Sequence, residues 1–330
     1  MGCVAQIGEQ GLNIGRVAAL IAGFPVTACA VSINRMCGSS EQAVHFAAQE
    51  IISGTVEVAI GAGVESMSRV PMGSDAAGAP FSQKLIERFP LVPQGLSAEM
   101  IAEKWHITRA EADAFSLESH RRAAAATAEG RFKQEILPVE VTLPDGSSEL
   151  METDQGIRPN TSLEQLGSLK TAFRPDGIVT AGNSSQISDG AAAVLLMSEE
   201  KAHELSVRPL ARVVAMATAG VDPVLMLSGP IPATAKVLRK AGLTLKDIDL
   251  VEINEAFASV PLAWAREHDP DMNRVNVNGG AIALGHPLGG SGARLMTTLV
   301  HELQRRGTRY GLQTMCIGHG MATATIIERM

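Results

Sequence analysis

The chain has 330 residues, 45% hydrophobic, 19% charged and 3% aromatic, and its 28 basic and 35 acidic side chains give a net charge of −7. That acidic balance, with no Lys/Arg-rich run, excludes a general attraction for nucleic acid, and no apolar run is long enough to suggest a membrane span. Scarce aromatics beside 32 glycines argue against a β-sandwich or a base-stacking surface and for a tightly packed α/β enzyme of about two or three domains. Without a secretory signal pattern, cytoplasmic placement is the expectation. Cys3, Cys29, Cys37 and Cys316 are too few and too unevenly spaced for a disulfide framework, so free thiols are expected.

In chain order, strand-like Val31 to Asn34 leads through a Gly/Ser turn into a helix from about Ser40 to Ile52 and then strand-like Val56 to Gly63. Next comes a region of different character. Thr108 with Glu111 is a capping-box signature opening a helix that runs to Gly130. Val139 to Leu143, Pro144-Asp145-Gly146 and Glu149 to Met151 read as a hairpin. A strand over Ala211 to Ala217 and a helix from about Pro232 to Ala241, closed by Gly242, precede strand-like Ile248 to Ile253. The opening order then recurs: Val275 to Asn278, a long Gly-rich loop, a helix from about Ser291 to Arg305, and strand-like Gln313 to Gly320. Two β-loop-α-β units of one design predict two similar half-domains. Aligning Asn34 with Asn278 sets Met1 against Leu245, so either the two repeats differ or the first half starts about one strand and one helix late. The expected division is 1–67 with 183–206 as the first half, 68–182 as an inserted loop domain, and 207–330 as the second half.

Chemistry-bearing residues fall on the loops of these repeats. Cys37, between a strand and a helix in Asn34-Arg35-Met36-Cys37-Gly38-Ser39-Ser40, should sense the positive end of the helix dipole, which favours thiolate. His286 occupies the equivalent loop of the second repeat, where two loops meeting at one cleft would join thiol and imidazole. Cys316, followed by Gly318 and Gly320, offers a second thiol beside exposed backbone N–H groups suited to an oxyanion. Asn254, after the strand ending at Ile253, can polarise a carbonyl or hold a water, and it can equally be the N-cap of the next helix. Cys316 and His319 have Cys-x-x-His spacing, which alone is incomplete for zinc, and no metal is expected.

These residues resemble the thiolase family nearly from Met1 to Met330. The resemblance rests on NRMCGSS around Cys37, NEAFA around Asn254, GGAIALGHPLGGSG around His286 and CIGHGMA around Cys316, in that order. It implies an α/β fold of duplicated βαβαβαββ halves in an α-β-α-β-α arrangement with an inserted loop domain. The implied activity is an acyl-CoA acyltransferase that interconverts two acyl-CoA molecules with 3-oxoacyl-CoA plus CoA through an S-acyl-cysteine. The resemblance further implies that Cys37 is the nucleophile, His286 its activator and Cys316 the acid/base at the α-carbon. Asn254 with His286 would form one oxyanion hole, and the N–H groups of Cys37 and Gly318 a second. Arg158, Ser185, Phe173 and Phe257 match positions along the CoA channel. No tightly bound cofactor, and a homodimer or homotetramer, complete the expectation.

Two departures stand out. His319 replaces the middle glycine of a Cys-x-Gly-Gly-Gly segment, and Pro93-Gln94-Gly95 stands where short-chain biosynthetic members carry His-Met-Gly, which opens the reading to longer 3-oxoacyl chains. A decarboxylating condensing synthase is the related alternative, although that class is expected to carry His at the Asn254 position. A CoA-binding protein with impaired turnover, through a shortened first half, is another. Gly61-Ala62-Gly63 lacks the third glycine of a dinucleotide fingerprint, where Ser66 stands instead.

Overall fold

A computed structural model describes residues 1–330. The chain begins with α1 (Ile14–Ile21), α2 (Ser39–Ile52) and β1 (Val58–Ser66). An insertion follows: α3 (Gln83–Arg88), α4 (Gln94–Lys104), α5 (Arg109–Ala128), the hairpin β2 (Val139–Thr142) and β3 (Ser148–Met151), and α6 (Leu163–Gly167). The chain then returns through β4 (Asp189–Met197) and α7 (Glu199–Glu204). The second half comprises β5 (Ala211–Gly220), α8 (Pro230–Ala241), β6 (Leu250–Ile253), α9 (Ser259–His268), α10 (Ala281–Leu284), α11 (Ser291–Arg306), β7 (Tyr310–Ile317) and β8 (Met321–Arg329).

The second-half sheet has the order β5-β8-β7-β6, with β6 parallel to β7 and the other pairs antiparallel. In the first half, β1 pairs antiparallel with β4 across the whole insertion, and Gly2 bridges to Gly63 and Ile33 beside them. Helices α2 and α11 pack against one another between the two sheets. Val44 on α2, Met296, Leu299 and Leu303 on α11, and Leu250 and Ile327 on the strands fill that layer as one buried cluster. Helix α8 covers the opposite face of the second-half sheet, whose core centres on Trp264, Val237, Leu312 and Ile326. By contrast, the outward face of β1–β4 carries the cross-strand pair Ile60 and Leu195, 42% and 59% exposed.

Local signals act as the sequence dictates. Thr108 Oγ1 accepts from the Glu111 N–H while the Glu111 carboxylate accepts from the Thr108 N–H, and α5 starts there. Gly242 closes α8 in the left-handed region. Two expected strands differ: Val31 to Asn34 and Val275 to Asn278 make only isolated bridges. In the second of these the cause is Asn276, whose backbone turns left-handed with φ 46°. Its side-chain amide then takes the strand's place, accepting from the Ile253 N–H at 2.8 Å and donating to the Ile253 carbonyl at 2.9 Å.

Candidate active site

Cys37 lies in the turn that enters α2 and is 3% exposed. The turn is tied by its own polar groups: the Met36 N–H donates to Asn34 Oδ1 at 2.8 Å, and Ser39 Oγ accepts from the Arg35 N–H at 2.9 Å while donating to the Met36 carbonyl. A Cβ on Gly38 would come within 2.3 Å of Cδ1 of Ile317, a side chain that is itself fully buried. The tip of β7 therefore rests on the Cys37 turn, joining the halves at this point. The sequence favoured thiolate at Cys37, but burial outweighs the helix end and pushes the thiol up to about 11, against hydrogen bonds from the N–H groups of Gly318 and of Cys37 itself. Cys37 thus holds its proton at rest.

His286 hangs from the second-half loop between α10 and α11, with its N–H donating to the Gln186 carbonyl at 3.0 Å. Ser291 Oγ lies 2.6 Å from Nδ1 and donates its own proton to the Pro287 carbonyl at 2.8 Å. With that proton committed, Ser291 accepts from Nδ1–H, so the lone pair sits on Nε2, the nitrogen 3.3 Å from Asn254 Nδ2. Burial, reinforced by Arg294, lowers the imidazole to about 3 and keeps it neutral. Ser291 escaped the sequence reading; its only trace there is a hydroxyl five residues after the histidine, at the start of a helix.

Cys316 is fully buried near the end of β7, and burial pushes its thiol up. Asn254 is anchored by its N–H on the Thr314 carbonyl at 3.1 Å, two residues before Cys316. It is no N-cap, since α9 begins at Ser259 behind Ala258. Its Oδ1 is buried without a partner, a vacant acceptor that suits a water or a substrate donor. Behind it Glu255 accepts from Ser119 Oγ, Asn276 Nδ2 and the Ile282 N–H at 2.7, 2.8 and 3.1 Å, clamping insertion, strand end and His286 loop together. His319 has φ 61° and stands edge-on to Phe81 of the insertion, with ring centroids 5.5 Å apart.

Of the residues expected along a CoA channel, Phe173 and Phe257 meet edge to face at 6.1 Å, and the Ser185 N–H donates to the Ala256 carbonyl beside them. Arg158 lies apart on an exposed segment held by its N–H on His120 Nδ1 at 3.1 Å. Of the cysteines expected only to pack, Cys3 is buried and Cys29 is exposed, because it lies on the surface loop after α1.

This geometry has relatives. The family model described as the thiolase N-terminal domain matches residues 1–200, and the thiolase C-terminal domain matches residues 207–329. The chain belongs to the thiolase family. The 3-ketoacyl-CoA thiolases of Vibrio vulnificus and Photobacterium profundum are 49% and 48% identical to this thiolase, over 99% and 100% of its chain and 86% of theirs. The crystal structure of human mitochondrial 3-ketoacyl-CoA thiolase superposes with a TM-score of 0.91 at 42% identity, covering 99% of this chain and 86% of that one. The Bacillus anthracis acetyl-CoA acetyltransferase gives 0.91 at 41% identity, covering 99% and 85%. This thiolase accordingly has the thiolase fold and is an acyl-CoA acyltransferase. No helix in it is long and apolar enough to cross a membrane.

Proposed function

We propose that this thiolase is a 3-ketoacyl-CoA thiolase that works through an acyl group carried on Cys37, with coenzyme A thioesters as substrates and no tightly bound cofactor. The observation that supports the reading is the packing at the seam between the halves, where Leu288 of the His286 loop packs on Cys37 and Ile317, next to Cys316, reaches Gly38. In the cleaving direction His286 Nε2 takes the Cys37 proton as sulfur attacks the 3-keto carbon. The Cα–Cβ bond breaks, and the acetyl-CoA enolate leaves with the electron pair and takes a proton from Cys316. A CoA thiol then gives its proton to the Cys316 thiolate and attacks the acyl carbonyl, and the Cys37 thiolate leaves and takes its proton back from His286. A neutral imidazole and a neutral thiol suit this exchange because neither buried group carries charge until the thioester is in place.

Enolate oxygen would be met by Asn254 through a water held on its vacant Oδ1, together with His286. The carbonyl oxygen at Cys37 would be met by the N–H groups of Cys37 and Gly318. Phe173, Phe257 and Ser185 would line the pantetheine path, with Arg158 near the nucleotide. The longer substrate class is favoured by the names of the most similar relatives cited above and by Pro93-Gln94-Gly95 in place of His-Met-Gly. The division into 1–67 with 183–206, 68–182, and 207–330 is supported by the pairing of β1 with β4. A homodimer or homotetramer is supported by apolar side chains exposed around α1, among them Leu12, Ile21 and Val26. Free thiols at both reacting positions fit a reducing cytoplasm.

The test is a thiolysis assay across 3-oxoacyl-CoA chain lengths, run beside Cys316→Ala. Turnover is expected to extend beyond the four-carbon substrate. Cys316→Ala should still pass acyl groups to and from Cys37 but lose exchange of the acetyl-CoA α-protons with deuterium oxide. Rapid exchange in that variant would remove Cys316 from the mechanism.

A further inference from the structure

We propose that Gln186 is a positioning residue for the acyl-transfer reaction: its backbone carbonyl and side-chain amide together end the helix before His286 and set that histidine against Asn254. The proposal rests on the acyl-transfer reading above for what His286 does, but not for how His286 is held.

An irregular segment, residues 184–188, passes both second-half loops that carry the proposed catalytic groups. The Ser185 N–H donates at 2.9 Å to the carbonyl of Ala256, two residues after Asn254, and the Gln186 carbonyl accepts from the His286 N–H at 3.0 Å. Ser188 Oγ donates to that same carbonyl at 3.0 Å, so both of its lone pairs are engaged. The Gln186 side chain then turns toward the His286 loop. Its Nε2 lies 2.8 Å from the Ile282 carbonyl, 3.2 Å from the Ala283 carbonyl and 2.8 Å from the Gly156 carbonyl. Three acceptors around one atom fix the orientation of the amide, because its oxygen in that place would face three others.

The partners are those a longer helix would have used. Helix α10 ends at Leu284, and Gly285 leaves it at φ 88°. Were α10 to continue, the Ile282 carbonyl would accept from the His286 N–H, and the Ala283 carbonyl would face Pro287, which has none. Gln186 exchanges those partners: its carbonyl takes the His286 N–H, and its amide satisfies the two carbonyls left over. A Cβ on Gly285 would meet Ser188 Oγ at 2.1 Å, so segment and loop lie in direct contact where the chain departs. Gly156 closes the remaining side. A Cβ there would come within 2.7 Å of the Ala283 carbonyl and 2.8 Å of Gln186 Oε1, which leaves the amide no room to swing away. Held in this way, His286 Nε2 stands 3.3 Å from Asn254 Nδ2. Without the amide, the Ile282 carbonyl is free to recapture the His286 N–H by extending α10, and that movement carries the imidazole away from Asn254.

Two substitutions test this. Gln186→Met keeps the length of the side chain and removes its donors, whereas Gln186→Glu keeps its shape and presents oxygen to the three carbonyls. In a thiolysis assay Gln186→Met should lower kcat about ten- to hundredfold with KM within about twofold, and Gln186→Glu should lower kcat at least as far. Combined with His286→Ala, neither should lower the remaining rate by more than about twofold, because the group being placed is gone. Crystal structures of both variants without thioester should show the imidazole displaced from Asn254 by about 1 Å or more. An equal loss with and without His286, a loss confined to KM, a smaller loss in Gln186→Glu than in Gln186→Met, or an imidazole that has not moved would overturn the proposal. Failure of the acyl-transfer reading would show instead as absence of Cys37 acetylation by acetyl-CoA in the wild type, with the displacement of His286 in the variants intact.

Discussion

The two halves repeat one design and use it differently. In the second half, β8 is flanked by β5 and β7, and its Ile326 is fully buried in a core closed by α8. In the first, β1 and β4 bury one face on α2 and α11 and leave Ile60 and Leu195 exposed on the other. The chemistry divides along the same seam. In the proposed mechanism the first half supplies the nucleophile Cys37 on a short turn, and the second supplies His286, Asn254 and Cys316 from a longer loop and two strand ends. The less enclosed half therefore depends on the better packed one for its core and, in the proposed mechanism, for the groups that activate its thiol.

Removing the first half's contribution should have the largest effect. Cys37→Ala is expected to lower turnover by at least about 10⁴-fold in a thiolysis assay, because no second nucleophile occupies the turn. His286→Ala, on the other side of the seam, should cost about 10²- to 10⁴-fold in the same assay, since the base is lost while the sulfur stays. A smaller loss there than in Ser291→Ala would contradict the hydrogen-bond order assigned to that loop.

Stability should divide in the same way. Ile326→Ala is expected to destabilise by about 2–5 kcal/mol in denaturant unfolding, as a buried aliphatic side chain removed from a packed core. Glu41 tests the seam itself. It sits on α2 but its carboxylate accepts from Thr323 and Thr325 of β8, 2.7 and 2.6 Å away. Burial pushes that carboxyl from 4.5 up to about 7, so over that interval the folded chain keeps a proton that the unfolded chain has released. Its contribution is intact below pH 4.5 and is lost as pH rises through about 7. Glu135 and Glu252, raised to about 7 and about 8 chiefly by burial, act in the same direction. Glu41→Gln should therefore shrink the fall in thermal midpoint between about pH 5 and pH 8; an unchanged fall would mean that the seam carboxylate is already ionised. The smallest effect is expected at Leu195→Ala on the open face, within about 0.5 kcal/mol for the isolated chain. A larger loss that depends on protein concentration would show that face covered by another copy.

Much of this was legible in the residues. The periodic runs of α2 and α11, the cap of α5, the Gly242 stop and the Pro-Asp-Gly hairpin are local signals, and local interactions enforce them. Val275 to Asn278 was misread because alternation reports side-chain pattern, whereas Asn276 replaces the strand's backbone hydrogen bonds with its own amide. The ionisation of Cys37 was misjudged for a related reason: the helix end is visible in sequence, but burial by β7 and the insertion is not. Ser291 escaped because its value lies in which atom it faces, the His286 Nδ1, and no spacing records that.

The most direct measurement of the central claim is intact-mass analysis after incubation with acetyl-CoA. Wild-type protein should gain a single acetyl group that maps to Cys37, and Cys37→Ala should gain none. Acetylation that persists unchanged in Cys37→Ala would contradict the account.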